Sequence, residues 1–214
     1  MLLPRGKFIT IEGQDGAGKT TSLEYLYSEI KAKNLDCLLS REPGGTPMGE
    51  AIRDILLKRT ELEINPMSEL LLIFAARSQH IESVIEPALA QGKWVVCDRF
   101  TDASYAYQGG GHGIEESSIG MLESLVQGQL FPDLTILLDV DISVGELRVE
   151  SRNKQKDRYE QQLTDFKSRV RQAYLSRAKE EPGRIKVINA AKSIENVQSQ
   201  IKSVLEEFFN SIVE

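Results

Sequence analysis

The feature that most constrains the fold is the segment 13–20, which reads Gly-Gln-Asp-Gly-Ala-Gly-Lys-Thr. It follows an apolar run at 8–12 and precedes a segment with apolar residues at helical spacing. In a strand–loop–helix context this spacing is typical of a phosphate-binding loop, whose glycines let successive N–H groups point into one concavity. Lys19 should reach the β- and γ-phosphates, and the Thr20 hydroxyl should ligate Mg²⁺. A glycine-rich turn with an exposed lysine is the less favoured alternative.

Strand-like apolar runs alternate with helical segments along the chain, at residues 8–12, 37–40, 94–98, 134–139 and 185–189. This alternation favours a parallel sheet with helices on both faces. The length of 214 residues, without an internal repeat or a low-complexity linker, predicts one α/β domain of the P-loop NTPase fold over residues 1–214, or one such domain with a mobile insertion. Ligands of such sheets collect beyond the carboxyl ends of the strands. Site residues are therefore expected directly after each run.

The net charge of −6 argues against a broad nucleic-acid-binding surface, although a local basic site remains possible. Cys37 and Cys97 lie inside apolar runs, and buried free thiols fit a reducing cytoplasm. Their spacing does not match a zinc site, and two histidines are too few for a histidine-rich metal site. No run approaches membrane-spanning length. We expect a soluble cytoplasmic chain that binds neither nucleic acid nor a membrane.

Three arginines are ambiguous when each is considered alone. Arg41 precedes a Pro-Gly-Gly turn and is either an anion ligand or half of a solvated ion pair. Arg53 lies on the next helical segment and is more typical of a solvated surface charge. Arg77 closes an apolar block at 66–76, where it either snorkels to solvent, the somewhat favoured alternative, or points into a polar site. Within that block, residues 70–74 are apolar nearly all round, which predicts burial against the sheet or a partner.

The third run ends in a charged pair that is more specific than either charge alone. Asp98 could hold a Mg²⁺-bound water and Arg99 could bind a phosphate bidentately, with a structural salt bridge as the alternative. Residues 104–111 then combine aromatic rings, an amide and flexible glycines. This composition suits recognition of a planar heterocycle, and a floppy surface loop is the competing interpretation.

The second half of the chain carries weaker indications. Asp139 ends the fourth run, as at a Walker B position, but many strands of α/β proteins end in aspartate. The arginine-rich segment 148–158 is either a solvated helix end or a cationic lid that closes over ATP. A loop after Asn189 could pack on adenine, although an ordinary turn fits nearly as well.

Taken together, these segments resemble the bacterial thymidylate kinase family over essentially the whole chain. The most specific matches are Arg-Glu-Pro-Gly-Gly at 41–45 and Tyr-Gln-Gly-Gly-Gly at 107–111, with Ala-Ala-Arg at 75–77 and Asp-Arg-Phe at 98–100 between them. The resemblance implies transfer of the γ-phosphate of ATP to dTMP with Mg²⁺, in the supply of dTTP for DNA synthesis. It also implies a homodimer, a five-stranded parallel sheet and a short mobile lid at about 148–160.

The resemblance assigns residues to each part of the site. The ATP-binding set is Gly13, Gln14, Asp15, Gly16, Ala17, Gly18, Lys19, Thr20, Thr21, Arg148 and Asn189. The dTMP-binding set is Asp15, Arg41, Arg53, Ile73, Phe74, Arg77, Arg99, Ser104, Tyr107 and Gln108. The catalytic set is Lys19, Arg99, Arg152 and Asp15, and the metal set is Thr20 and Asp98. Among these, Arg77 is expected to donate to the thymine carbonyl edge, and Tyr107 to pack below the deoxyribose.

Two positions depart from the family pattern. Gly16 stands where some members carry an arginine, so the lid should supply that cation, with Arg152 as the first candidate and Arg148 and Arg158 behind it. Ile73 stands where a ring usually stacks on thymine. Phe74 is the next residue, but a shift of one position on a helix rotates a side chain by about 100°. Ile73 then offers only apolar contact.

The expected mechanism is alignment of two nucleotides among fixed cations, since the acceptor phosphate is already ionised and needs no strong general base. Three alternatives remain open from the sequence. They are a kinase of another nucleoside monophosphate, an ATP-binding switch that hydrolyses slowly, and an ATP-dependent ligase that phosphorylates a carboxylate.

Overall fold

The computed structural model describes residues 4–58, 61–151 and 157–212. Five strands form a single parallel sheet in the order β2-β3-β1-β4-β5. They are β1 (Phe8–Glu12), β2 (Cys37–Arg41), β3 (Trp94–Asp98), β4 (Leu134–Asp139) and β5 (Ile185–Asn189). All five predicted runs are confirmed as strands, and β2 extends one residue beyond its predicted end, to Arg41.

Helices occupy the connections between strands. They are α1 (Lys19–Ala32), α2 (Pro47–Leu57), α3 (Pro66–His80), α4 (Glu86–Ala90), α5 (Thr101–Ser104), α6 (Glu116–Gln127), α7 (Ile142–Glu150), α8 (Thr164–Glu180) and α9 (Ile194–Ser211). Two wider π-helical segments, Ile81–Ile85 and Tyr105–Gly111, continue α3 and α5. In the described part of the chain, no helix combines the length and the apolar character that a membrane crossing needs.

The central strands are apolar on both faces because each face is covered by helices. Successive side chains of a strand point to opposite faces of the sheet. Ile9 and Ile11 of β1 therefore pack in one core with residues of α1 and α9. Phe8, on the other face, packs with Val95 and Cys97 of β3 against the segment that follows α3. This two-sided burial explains why the strands read as continuous apolar runs rather than alternating patterns.

The register brings the carboxyl ends of three strands to one edge. Ile11 of β1 is level with Asp98 of β3, and Arg41 of β2 is level with Asp98 on its other side. The phosphate-binding loop leaves β1 at this edge, and the turns after β2 and β3 open beside it. The chain segments expected to carry chemistry are thereby gathered in one place.

The segment 104–111 is not the floppy surface loop that the sequence left open as the competing interpretation. Tyr105–Gly111 is helical, and most of its residues are buried. A side-chain carbon at Gly110 would lie 2.6 Å from Cβ of Ala173, and one at Gly111 would lie 2.5 Å from the ring of Phe166. The glycines therefore allow α8 to pack closely against this segment.

Burial of the remaining predicted core positions is mixed. Cys97 is fully buried, whereas Cys37 lies on the edge strand β2 and is only half-buried, and both thiols are free. In the apolar block of α3, Leu70 and Phe74 are buried within the chain, but Leu71 is exposed.

Candidate active site

A cavity of about 220 Å³ lies at the carboxyl ends of β1, β2 and β3. The phosphate-binding loop closes one end, with Lys19 and Thr20 among its lining residues. Ile73 and Arg77 of α3 line the opposite end, and Tyr107 forms part of the wall. The cavity is thus bounded by cations at both ends, as a pocket for an anionic nucleotide would be.

The loop holds its lysine close to its own backbone. Nζ of Lys19 donates to the carbonyl oxygens of Gly13 at 3.0 Å and Gln14 at 3.1 Å. It also lies 3.7 Å from Oδ1 of Asp15. Burial lowers the pKa of Lys19 from its usual value, and the nearby Arg99 charge adds to this effect. The ammonium is therefore poorly solvated and positioned to exchange carbonyl oxygens for phosphate oxygens.

Gly16 has no room for any side chain. Its φ is +79°, and a Cβ there would collide with the carbonyl of Gly145 on α7. An arginine at this position is therefore incompatible with the way α7 packs on the loop. This supports the expectation that a cation for the transferred phosphoryl group must come from another segment.

Arg99 makes several hydrogen bonds at the end of the cavity formed by the phosphate-binding loop. Its backbone is left-handed, with φ 70°, which is unusual for a residue with a side chain. Nη1 donates to the Gly13 carbonyl at 2.9 Å and to the hydroxyl of Tyr174 at 3.1 Å. Nη2 donates to Oδ1 of Asp15 and to the hydroxyl of Tyr107, each at 3.0 Å. Burial opposes the charge of Arg99, but the surrounding oxygens of Tyr107, Tyr174 and Asp15 raise its pKa well above the usual value.

The buried carboxylate of Glu12 holds groups that lie next to Arg99. Oε1 of Glu12 accepts from the backbone N–H of Phe100 at 2.7 Å, and Oε2 accepts from the hydroxyl of Tyr174 at 2.7 Å. Burial, reinforced by the charge of Asp102, raises the pKa of Glu12 to about 7. The sequence did not identify Glu12 or Tyr174 as site residues, because 162 positions separate them and neither lies in a motif that marks the partnership.

Arg77 is buried rather than exposed to solvent, with 1% of its surface accessible. Nε donates to Oε2 of Glu42 at 2.7 Å, and Nη2 donates to the Phe100 carbonyl and to Oγ of Ser104, each at 3.1 Å. Nη1 is buried and has no hydrogen-bond partner among the described residues. Arg77 is also among the residues that line the cavity, and buried donors in folded proteins usually have an acceptor.

The two apolar candidates of α3 have different roles. Ile73 lines the cavity together with Leu57 and Pro43. Phe74 does not border it in the described structure, and its ring lies under the Arg77 guanidinium, 4.5 Å from ring centre to Cζ. The rotation between neighbouring helix positions thus turns Phe74 into the core. Its contribution is to support Arg77 rather than to contact a ligand.

Residues 104–111 form a wall of the cavity, and their polar side chains already have hydrogen-bond partners. Ser104 accepts from Arg77, and Nε2 of Gln108 donates to Oε1 of Glu69 at 2.8 Å. Nε2 of Gln108 also lies 3.4 Å from the hydroxyl of Tyr159. Tyr159, which follows the arginine-rich segment, lines the cavity, and its ring centroid lies 5.1 Å from that of Tyr107. The sequence did not single out Tyr159, since its contact with Tyr107 is 52 positions distant along the chain and no local pattern marks it.

The two arginines near the second strand are placed differently. Arg53 lines the cavity and donates from Nη1 to the Pro43 carbonyl at 2.8 Å. Arg41 pairs with Glu50, with 2.8 Å between Nη2 and Oε2, and its side chain is 53% exposed. It does not border the cavity in the described structure. The solvated ion pair, which the sequence left open for Arg41, is therefore the arrangement observed.

The metal expected from the sequence is compatible with the residues present. Oδ1 of Asp98 is buried without a hydrogen-bond partner among the described residues, and Asp98 and Thr20 line the same cavity. Carboxylate and hydroxyl oxygens suit Mg²⁺, which is commonly held by one or two protein oxygens together with phosphates and waters. The described part of the chain contains no cluster of three or more His, Cys, Asp or Glu that could form a protein-only metal cage.

The remaining members of the expected ATP-binding set lie around the loop rather than in the cavity. Nε2 of Gln14 donates to the Val140 carbonyl at 2.9 Å, which braces the loop against β4. Nη1 of Arg148 donates to the carbonyls of Gly16 at 3.3 Å and Ala190 at 2.9 Å. Asn189 uses Oδ1 to accept from the Ala191 N–H at 3.1 Å. Three further residues of this set do not border the cavity in the described structure: Gly13, Ala17 and Thr21.

The remaining charged candidates from the second half of the chain are Arg152, Arg158 and Asp139. Arg152 lies outside the described residues. Nη2 of Arg158 donates to the Leu62 carbonyl at 2.9 Å. Asp139 is held bidentately by Arg171, at 2.7 and 2.9 Å, so its carboxylate is engaged in a salt bridge.

Comparison with known proteins gives one consistent result. A family model described as thymidylate kinase matches residues 11–201. A thymidylate kinase of Nitrosospira multiformis is 52% identical, over 92% of this chain and 96% of the relative. One of Pseudomonas syringae pv. tomato is 48% identical, over 94% and 96%. The crystal structure of thymidylate kinase from Ehrlichia chaffeensis is similar with a TM-score of 0.74 and 38% identity, covering 95% of this chain and 99% of that one.

Proposed function

The chain belongs to the thymidylate kinase family, and from this premise we propose how its residues carry out the reaction. The enzyme phosphorylates dTMP to dTDP, with ATP as the phosphate donor, and so supplies the precursor of dTTP. The cavity at the carboxyl ends of β1, β2 and β3 is the dTMP site, and the phosphate-binding loop holds the phosphates of ATP.

The observation that carries this assignment is the unpartnered Nη1 of Arg77. A buried donor without an acceptor is costly, and a pyrimidine carbonyl placed beside it would satisfy it. The opposite end of the cavity holds Lys19 and Arg99, which suit phosphates. A pyrimidine monophosphate spans these two ends with its base at Arg77 and its phosphate facing the loop.

Alignment and charge neutralisation are what the described residues contribute to the reaction. Arg99 and Arg53 neutralise the acceptor phosphate, while Lys19 exchanges its bonds to the Gly13 and Gln14 carbonyls for phosphate oxygens. Asp98 and Thr20 would hold Mg²⁺, which supplies charge neutralisation between the two phosphate chains when bound. The acceptor is already an ionised phosphate, so none of these residues needs to act as a strong base.

The base is selected at the end of the cavity formed by α3. Ile73, Leu57 and Pro43 give an apolar surface for the ring and its methyl group. Tyr107 closes the wall between base and phosphate, where a ribose 2′-hydroxyl would be crowded. The segment 148–160 acts as a lid over ATP, with Arg152 supplying the cation that cannot be placed at Gly16.

Release of ADP in the presence of a panel of monophosphates tests this function. The enzyme is expected to release ADP much faster with dTMP than with dGMP, CMP or AMP. Arg77→Ala should lower kcat/KM for dTMP by about 10²-fold, because a buried polar site loses its partner for the base. Lys58→Ala, which removes an exposed cation at the end of α2, serves as the control. ADP release that does not depend on any monophosphate would contradict the proposal.

We also infer a homodimer formed through α3 and α6. These helices pack on one another, and each keeps an apolar pair one turn apart exposed, Met67 with Leu71 and Met121 with Leu125. Exposed apolar stripes on neighbouring helices favour an interface between two copies. Leu125→Glu should convert the dimer to a monomer in sedimentation velocity, whereas a wild-type monomer at micromolar concentration would contradict the inference.

The cytoplasm is the compartment we propose for this enzyme. ATP is abundant there, and the two free thiols at Cys37 and Cys97 would stay reduced. We also propose that residues 1–214 act as one domain, since β5 and α9 complete the sheet and the core begun by β1 and α1.

A further inference from the structure

Arg77 is attached to a line of buried polar side chains that the reaction itself does not use. Oε2 of Glu42 accepts from Nε of Arg77 at 2.7 Å, and Oε1 of Glu42 lies 3.0 Å from Nδ1 of His80. Nε2 of His80 in turn lies 2.6 Å from Oγ of Ser40. Glu42, Arg77 and His80 are all buried, and His80 is completely inaccessible.

The line is built across two elements. Arg77 and His80 lie three residues apart on α3, so their side chains leave the same face of the helix. Glu42 directly follows β2 and reaches both of them. The packing around His80 is close, because a side-chain carbon at Gly45 would lie 2.5 Å from its Nε2.

The imidazole fits this position as a donor on one side and an acceptor on the other. With its proton on Nδ1, His80 donates to Glu42, and its Nε2 accepts from the Ser40 hydroxyl. Both carboxylate oxygens of Glu42 are then occupied, one by Arg77 and one by His80. Loss of the imidazole would leave a buried carboxylate oxygen without its donor, so Glu42 would turn to find another.

These contacts determine the direction in which Nη1 of Arg77 points. Nε of Arg77 is fixed by Glu42, and Nη2 is fixed by the Phe100 carbonyl and Ser104. The guanidinium is planar and rigid, so these bonds fix its plane and leave Nη1 as its one unpartnered nitrogen among the described residues. A rotation of Glu42 would turn that plane and move Nη1 away from the position of its acceptor.

We propose that Glu42 and His80 are positioning residues for base selection: they orient Arg77 so that Nη1 meets a carbonyl, and not an amino group, at position 4 of the pyrimidine. The inference rests on the proposed function and extends it to Glu42, which lines the cavity and binds Arg77, and to His80, which does not border the cavity in the described structure. It predicts a change in discrimination between bases rather than a uniform loss of activity.

The test compares dTMP with 5-methyl-dCMP, in which an amino group replaces the 4-carbonyl and N3 accepts a hydrogen bond instead of donating one. The wild-type enzyme is expected to favour dTMP strongly in kcat/KM. His80→Leu should reduce the ratio of the two kcat/KM values about tenfold, with a higher KM for dTMP and an unchanged KM for ATP. His80→Asn, whose amide can still donate to Glu42, should retain most of the discrimination.

Two further variants keep the test decisive. Ser40→Ala removes only the outermost hydrogen bond and no buried charge, and it should reduce the ratio about threefold even if His80→Leu does not fold. Ser78→Ala changes an exposed residue beside Arg77 and should leave the ratio unchanged.

The outcomes separate this inference from the proposed function. A wild-type enzyme that fails to phosphorylate dTMP would overturn both. A wild-type enzyme that phosphorylates dTMP, with the same ratio in His80→Leu, Ser40→Ala and wild type, would overturn the positioning role alone. Equal losses of kcat/KM for both monophosphates would also overturn it, because they would indicate general damage rather than reorientation of Arg77.

Discussion

Tyr174 and Arg99 meet beneath the phosphate-binding loop, where the phenol oxygen accepts from Nη1 of the arginine at 3.1 Å. The same hydroxyl donates to Oε2 of Glu12 at 2.7 Å. Tyr174 belongs to α8, which begins at Thr164, while Glu12 ends β1 just before the loop. A single hydroxyl therefore connects α8 to Arg99, the arginine that we propose faces the acceptor phosphate.

Removal of that hydroxyl should weaken both phosphate binding and folding. In Tyr174→Phe, Nη1 of Arg99 loses an acceptor and Glu12 loses a donor, so we expect a loss of about 1–3 kcal/mol in unfolding free energy. The KM for dTMP should rise and kcat should fall, each by about three- to tenfold. Steady-state kinetics and urea unfolding measure these changes. Tyr27→Phe on α1, outside the cavity, is the matched control, and kinetics of Tyr174→Phe equal to this control would contradict the role of the hydroxyl.

The buried Glu12 should make stability depend on pH in a definite direction. Burial and the Asp102 charge raise the pKa of Glu12 from 4.5 to about 7, so the folded protein binds a proton there that the unfolded chain releases. Its contribution is full below pH 4.5 and is lost as the pH rises toward 7, by roughly 3 kcal/mol in all.

Comparison with Glu12→Gln isolates this contribution, because the amide does not ionise and all other groups stay the same. Urea unfolding at pH 5, 6, 7 and 8 should show the wild type losing stability relative to the variant up to about pH 7, and no further change above it. A difference between the two proteins that stays constant over the whole range would mean that Glu12 ionises normally.

The two arginines near β2 should differ in importance. Arg53 lines the cavity, so Arg53→Ala should raise the KM for dTMP about tenfold or more, since a partly buried charge–phosphate contact is lost. Arg41 forms an exposed ion pair with Glu50, and such pairs contribute little, so Arg41→Ala should change KM less than threefold. Kinetics with varied dTMP at saturating ATP give both values. A larger effect at Arg41 would show that it moves into the cavity when dTMP binds.

The lid prediction concerns the cation that Gly16 cannot provide. Arg152→Ala should lower kcat by about 10³-fold while changing the affinity for dTMP little, since such an arginine acts on the transition state. Rapid-quench kinetics and dTMP titration separate the two quantities. Arg158→Ala is the comparison, because Arg158 is bound to the Leu62 carbonyl. Unchanged kcat in Arg152→Ala would remove the lid assignment.

Local sequence signals were sufficient for the sheet and for the loop. The strands were recognisable as apolar runs because both faces of the sheet are covered, and Lys19 was recognisable from the spacing of its glycines. Arg77 was placed in a site by family resemblance alone. The local sequence around Arg77 favoured a side chain that reaches solvent. Its burial depends on Glu42, 35 positions earlier.

Other features depended on long-range packing that no local pattern encodes. The glycines of Tyr105–Gly111 left a floppy surface loop open as an alternative, yet those glycines are what lets α8 approach. Phe74 was a candidate for contact with thymine, but the helix turns it under Arg77. The network of Glu12, Tyr174 and Arg99 joins three distant segments, so only the folded chain reveals it.

The central claim is that one cavity aligns dTMP with ATP for direct phosphoryl transfer. The most direct measurement follows the label when the enzyme is mixed with ATP labelled at its γ-phosphate, Mg²⁺ and dTMP. We expect the label to appear in the terminal phosphate of dTDP, in amounts equal to the ADP formed, with little free phosphate. Label released mainly as inorganic phosphate, at the same rate with and without dTMP, would contradict the account.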